Sequence, residues 1–202
     1  MLRNNIDLSY FLEWGGKGWE NLFRFALDDF IWNDLNGKNV LEIGPRYGKI
    51  STLFALYGAN VTGAEINPEF IPIANNEAKK WNVEHKVNFI DYKGDLNNLP
   101  DNEYDLVFTK SVLVLIKDLD YYLSVLKKKI KKDGQIVILE NAYNNIFFDF
   151  LRRIKHFNKW DVSRATYFSK QEIEVIGKHF KLIHVKKNFY PPIYLICCEN
   201  SL

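Results

Sequence analysis

The stretch Asn39-Val-Leu-Glu-Ile-Gly-Pro-Arg-Tyr-Gly-Lys-Ile-Ser51 constrains this chain more than any other. A short apolar run (Val40, Leu41 and Ile43) meets a Gly-Pro turn, and a helical pattern begins at once. Glycine tolerates the backbone of a tight turn and lets a ligand come close, which suits Gly44 and Gly48. The first turn of the following helix presents unpaired N–H groups at the same place. Glu42 stands at the carboxyl end of the strand, where open α/β sheets bind ligands. A second strand, Ala59-Asn-Val-Thr-Gly-Ala, runs into Glu65. That acid lies about 20 residues past the turn, the spacing at which a carboxylate reaches a ribose diol. The plainer reading is an ordinary strand–helix turn, with Glu65 a solvated residue before a helix cap at Asn67.

The rest of the chain alternates in the same way. Residues 1–37 read as an N-terminal arm and a helix. The arm, 1–19, is irregular and aromatic, with Trp14 beside Gly15-Gly-Lys-Gly18, and suits either a flap over a site or packing on a sheet edge. The helix, over 19–35, ends at Asn36-Gly37. Strands are expected at 39–43, 60–65, 86–91, 104–109 and 135–140. Helices are expected at 46–57, from Asn67-Pro68 to about Trp81, and from Leu119 to the stop Lys-Lys-Asp-Gly134. The lysines at 127–129, 131 and 132 then fall in the last turns of that helix, where cations suit the dipole. Residues 141–168 form an aromatic, basic insert. Ser169-Lys-Gln-Glu172 fits a capping box opening a helix to about His179. Two further strands, 181–189 and 193–198, flank Pro191-Pro192, and so short a link makes them antiparallel neighbours.

Composition narrows the function. The 202 residues, 47% hydrophobic and 26% charged, suit one domain with a full core. A formal net charge of +2 demands no nucleic-acid partner. No apolar run reaches the roughly 18 residues of a spanning helix, and the first residues lack a leader core. Cys197 and Cys198 are adjacent, rarely a bridging arrangement, and lack metal-site spacing. They read as buried thiols of a reducing compartment, and no metal site is expected.

The spacing Glu-x-Gly-x-Arg-x-Gly, over Glu42, Gly44, Arg46 and Gly48, resembles the first motif of class I S-adenosylmethionine-dependent methyltransferases of the small-molecule and glycan type. Arg46 replaces the usual middle glycine. Gly94-Asp-Leu-Asn-Asn-Leu-Pro100 followed by Tyr104-Asp-Leu-Val resembles the family's Gly-Asp-Ala-x-x-Leu-Pro and Phe-Asp-Leu-Val. The resemblance covers about 38–199. It implies a Rossmann-like α/β fold: a seven-stranded, mostly parallel sheet of order 3-2-1-4-5-7-6, strand 7 antiparallel, with helices on both faces.

The implied cofactor is S-adenosylmethionine. On that resemblance Glu42 faces its methionine tail, while Gly44, Pro45 and Gly48 shape the loop around tail and ribose. Glu65 accepts from the ribose hydroxyls and Ile66 packs on adenine. Asp95 accepts from the adenine amino group and the Leu96 N–H reaches the ring, with Asp91 competing for Asp95's role. Lys110 stands near the tail or the substrate. Arg46 pairs with a carboxylate of cofactor or substrate, or is simply exposed. Many relatives carry histidine where Leu115 stands, which leaves His156 as the candidate base. Trp14, Glu140, Asn141, Arg152 and Arg153 are candidate acceptor contacts. The basic, aromatic insert suits core packing, an anionic acceptor or an anionic membrane face.

The expected activity is methylation, on oxygen, of a small molecule, a sugar or a lipid-linked glycan. The enzyme is expected to be cytoplasmic, at the inner membrane face, as a monomer or homodimer. The alternatives are a nicotinamide-dependent oxidoreductase and a non-catalytic cofactor-binding module.

Overall fold

The computed structural model describes residues 6–13, 15–31, 35–143 and 167–201. Seven strands form one sheet: β1 (Asn39–Ile43), β2 (Asn60–Glu65), β3 (Val87–Asp91), β4 (Tyr104–Lys110), β5 (Ile130–Asn141), β6 (Lys181–Asn188) and β7 (Ile193–Glu199). Their order is β3-β2-β1-β4-β5-β7-β6. β1 to β5 pair in parallel, while β7 runs antiparallel to both β5 and β6. Order and direction are those expected.

Alternation along the strands divides the core. Val40, Leu106, Phe108, Val137, Leu195 and Cys197 join one apolar cluster with the helices α1 (Leu8–Leu12), α2 (Lys17–Asp29), α3 (Lys49–Leu56) and α4 (Phe70–Lys80). Leu41, Val107, Ile136, Ile138, Ile196 and Cys198 join the other, with α5 (Leu119–Lys129) and α6 (Lys170–His179). Both faces are thus covered, which is why β1 and β4 read as near-continuous apolar runs. Successive residues of a strand face opposite ways, so Cys197 and Cys198 sit in different clusters and are both free thiols. Burial pushes the Cys197 thiol up to about 12 and raises Cys198 as well.

Three expectations are corrected. The arm is not irregular throughout: Asp7 accepts from Ser9 N–H at 3.0 Å and caps α1, which packs on α2 and α3. Five residues are too few to show a helical period. α2 begins at Lys17, after Gly16 with φ 69, and ends at Asp29 rather than 35. α5 stops at Lys129, and Ile130 already pairs with Tyr104 in β5. The Lys-Lys-Asp-Gly134 run is therefore an irregularity inside a strand, with Asp133 at φ 62. Lys131 is not a helix cation: it donates to Asp105 Oδ2 at 2.9 Å. Lys129 is buried and donates to Leu99 O at 2.7 Å and to Asp101 Oδ1 at 2.5 Å.

The capping box at Ser169 is formed, with Glu172 Oε2 accepting from Ser169 N–H at 2.7 Å. Among the described residues no helix is long and apolar enough to cross a membrane.

Candidate active site

The carboxyl ends of β1, β2 and β4 meet at one rim. β1 runs into the loop Gly44–Gly48, whose turns place backbone at φ 72 for Gly44, 49 for Arg46 and 73 for Gly48. An L side chain pays strain in that region, which explains why glycine is the usual residue at position 46. Arg46 holds it because its N–H donates to Glu65 Oε2 at 2.8 Å. Its guanidinium lies over the Tyr47 ring at 4.5 Å and 5.6 Å from the Phe70 ring.

The two motif glycines differ in what they make room for. A Cβ on Gly44 would lie 2.6 Å from Val112, in the loop after β4. A Cβ on Gly48 would lie 2.6 Å from Phe89 and 2.7 Å from Ala74. Gly48 therefore also lets α3 pack against α4 and β3. Pro45 sits beneath the loop, within 3.1 Å of a Cβ built on Gly63.

Glu65 is buried at the end of β2. Its Oε1 accepts from the N–H groups of Ile66 and Asn67, each at 2.9 Å, and its Oε2 accepts from Arg46 N–H. A carboxylate offers about four acceptor directions, so the loops on either side fix this one while Oε2 keeps accepting capacity. Ile66 is 62% exposed, and a Cβ on Gly94 would lie 3.1 Å from its Cδ1. The exposed isoleucine thus packs on the backbone of Gly94, next to Asp95 and Leu96 in sequence. Asp95 caps the short 3-10 turn Leu96–Asn98, its Oδ1 accepting from Asn97 N–H at 2.9 Å. Asp91 accepts from Lys93 N–H at 2.9 Å.

Charges of both signs line the rest of the mouth. Glu42 is buried and accepts from Ser51 Oγ at 2.5 Å, and burial pushes its carboxyl up to about 8. Lys110 ends β4, donates to Leu12 O at 2.5 Å and lies 5.3 Å from the Trp19 ring. Burial pulls its ammonium down to about 8, against the field of Glu13 and Glu42. Glu13 follows α1 at φ 62. Burial raises its carboxyl, while Lys110, Arg46 and Lys49 draw it down. The sequence reading missed Glu13. Its only signal is an acid beside the Gly15–Gly18 run, and nothing local says that α1 folds back over β4.

Glu140 turns inward, while Asn141 beside it is half-buried. Glu140 is fully buried and its Oε1 accepts from the N–H groups of Val112 and Leu113, at 2.8 and 2.7 Å. Its Oε2 is buried without a partner, and burial pushes the carboxyl up to about 8. Asn141 donates to Ser111 Oγ at 2.9 Å. Together they hold the loop after β4 that packs on Gly44. Beyond that loop a cleft of about 240 Å³ is lined by Leu113, Ile116, Leu119, Phe168 and Val175 together with Lys117, Gln171 and Glu172. A second cleft, of about 310 Å³, lies at the opposite end of the strands among Asn39, Asn60, His85 and Glu103.

His179 pairs with Asp120 at 2.8 Å, and His184 packs between Phe25 and Phe30. Trp14, Arg152, Arg153 and His156 lie outside the described residues. Among the described residues no group of three or more His, Cys, Asp or Glu side chains could hold a metal ion.

Residues 41–138 match the family described as "Methyltransferase domain". The chain is 32% identical over 112 residues to the norajmaline N-methyltransferase of Rauvolfia serpentina, covering 54% of this chain and 38% of that protein. It is 29% identical over 138 residues to a ubiquinone biosynthesis O-methyltransferase of Rhizobium leguminosarum bv. trifolii, covering 67% of this chain and 50% of that one. The chain thus spans half or less of the length of these curated relatives. In three dimensions it is similar to the magnesium protoporphyrin IX methyltransferase of Synechocystis PCC 6803 with bound SAH. The TM-score is 0.70 at 17% identity, over 100% of this chain and 88% of that one. At that identity the likeness shows the fold.

Proposed function

Over residues 41–138 the chain belongs to the methyltransferase-domain family of class I, Rossmann-like fold, and from that premise we propose that it transfers a methyl group from S-adenosylmethionine to a small-molecule acceptor. The observation that carries this reading is the pair Glu65 and Ile66 at the end of β2: a fixed carboxylate beside an exposed apolar wall, facing Gly94–Leu96. A ribose diol needs the first and an adenine face the second.

The other groups fit the same molecule. Its tail is a zwitterion beside a sulfonium, and the mouth carries Glu13 and Glu42 with Lys110 and Arg46. The carboxylates suit the ammonium and the sulfonium, and the cations suit the tail carboxylate. Asp95 and the Leu96 N–H supply an acceptor and a donor for the adenine edge. When bound, the cofactor supplies an electrophilic methyl carbon. The protein's part is to hold the acceptor in line with it and to exclude water. α1, covering Lys110 through Leu12, closes the mouth on one side. Glu140 and Asn141 fix the loop after β4 on the other.

The acceptor is proposed to be methylated on oxygen and to be a small molecule, a sugar or a lipid-linked glycan. The cleft whose lining joins Leu113, Ile116, Leu119, Phe168 and Val175 to Lys117, Gln171 and Glu172 supports an acceptor with an apolar and a polar portion. His156 is the proposed base. Trp14, Arg152 and Arg153 are proposed acceptor contacts, in a cytoplasmic monomer or homodimer working at a membrane face. The comparisons reported above name methyltransferases and so lend the oxidoreductase and non-catalytic alternatives no support.

The test is transfer of labelled methyl to a panel of phenols, sugars, nucleotide sugars and lipid-linked oligosaccharides. The expected result is acceptor-dependent label in one class, absent in His156→Ala. Label on no acceptor, with cofactor bound, would leave the non-catalytic reading in its place.

A further inference from the structure

The tip of the β6–β7 hairpin carries two adjacent aromatic side chains that the core does not take up. Phe189 is 75% exposed and Tyr190 is 73% exposed. They are the most exposed large apolar residues among those described, and they stand side by side. β7 is antiparallel to β5, with Asn141 opposite Ile193, so the tip projects at the carboxyl ends of the parallel strands. This is the end that carries Glu65, Lys110 and the mouth described above.

The tip is built rather than loose. Asn188 Nδ2 donates to Pro191 O at 2.9 Å. A Cβ on Gly18 would lie 2.7 Å from Asn188 and 3.1 Å from Pro191, so the start of α2 is pressed against its base. Cations flank it on both faces of β6. Lys186 lies over the Phe25 ring at 3.2 Å on one face. Lys187 donates to Tyr143 O at 3.0 Å on the other, and lies 5.2 Å from the Tyr194 ring. Lys17, exposed at the start of α2, is next to Gly18. The nearest acid on that helix, Glu20, is tied to Arg24 at 3.1 Å.

We propose that this hairpin tip docks the protein on an anionic phospholipid surface. Phe189 and Tyr190 enter the headgroup layer and Lys186, Lys187 and Lys17 face the lipid phosphates. Tyr190 carries a hydroxyl that favours the interface between headgroups and acyl chains, and the Phe189 ring beside it in sequence adds apolar area. Lysines near the surface add an attraction that salt screens. A single apolar tip of this size gives reversible rather than permanent attachment. Docked this way, the mouth of the candidate active site opens toward the membrane, so an acceptor with an apolar portion reaches it without crossing water. The orientation toward the acceptor rests on the proposed function; the docking itself does not.

The test is flotation of the full chain with vesicles of phosphatidylglycerol and phosphatidylcholine, against vesicles of phosphatidylcholine alone. Binding is expected to the anionic vesicles at low salt and to fall as salt rises. Phe189→Ala with Tyr190→Ala is expected to lower the bound fraction at least about tenfold, the scale of removing two inserted side chains. Melting temperature and cofactor affinity should stay unchanged. Phe189→Trp, which keeps an interfacial anchor, should restore binding. Glu65→Ala, which removes the proposed ribose contact, should leave vesicle binding as it is, so loss of the enzymatic reading would not touch this one. Absence of binding by the parent chain at low salt would overturn the proposal. So would unchanged binding by the double variant, or a dimer in solution that the double variant abolishes while vesicles are ignored.

Discussion

Glu65 ties two loops of the fold together at the place proposed for the ribose. Three backbone N–H groups from the loops after β1 and β2 converge on its carboxylate, so the groups that would grip a ribose are positioned before any ligand arrives. Asp95 and Asp91 compete at the neighbouring position. Each uses one oxygen on a local N–H, but Asp95 adjoins the Gly94 that faces Ile66. Asp95→Asn is therefore expected to weaken cofactor binding while Asp91→Asn leaves it near the parent value. Equilibrium titrations of both variants check this, and the reverse order would put the adenine slot on the other acid.

Glu140 gives a second residue-scale prediction. Burial raises its carboxyl from 4.5 to about 8. A group raised on folding binds its proton more tightly in the folded state, so its contribution is fully present below pH about 4.5. It is lost as pH rises through about 8. Glu42 acts in the same sense over the same window. Lys110, lowered to about 8, acts at higher pH, where deprotonation relieves its burial. Glu140→Gln keeps an oxygen for Val112 and Leu113 but does not titrate. Urea midpoints at about pH 5 and about pH 8 should therefore differ less in the variant than in the parent.

Among the elements, the α3 start and the short β1 loop decide how the site is framed. Gly48→Ala would set a Cβ 2.6 Å from Phe89 and 2.7 Å from Ala74, at φ 73. Overpacking of that kind costs about 1–3 kcal/mol, to be read from chemical denaturation. A variant as stable as the parent would show that α4 can shift away. Ser169→Ala removes one half of the capping box of α6 and should cost about 1 kcal/mol.

What the sequence revealed follows the same division. β1, β2 and the Glu65 position were legible because a buried parallel strand is a dense apolar run and because motif spacing is local. The capping box at Ser169 was legible for the same reason. The end of α5 was not, because Ile130 fits a helix stripe as well as a strand. Only its pairing with Tyr104 across the sheet decides between them. α1 was missed because its stability comes from packing Leu8, Phe11 and Leu12 against α2 and α3, not from its five residues. Glu13 was missed with it. Glu140 drew notice as an acceptor contact from its place at the end of β5 alone. Its turn onto Val112 and Leu113 depends on a loop 27 residues earlier in the chain.

At the scale of the whole molecule, one sheet carries the roles proposed for the described residues at one end. The carboxyl ends of β1, β2 and β4 hold the groups proposed for the cofactor, β5 fixes the loop after β4, and the β6–β7 tip projects at the same end. The opposite end carries the groove around Asn39 and Glu103. The measurement that bears most directly on this arrangement is calorimetric titration of S-adenosylmethionine into the parent chain and into Glu65→Ala. Saturable one-site binding by the parent is expected, weakened in the variant by about 1.5–3 kcal/mol, the scale of a charged hydrogen-bond partner removed. No binding by the parent, or equal affinity in a folded Glu65→Ala, would contradict the assignment of the site.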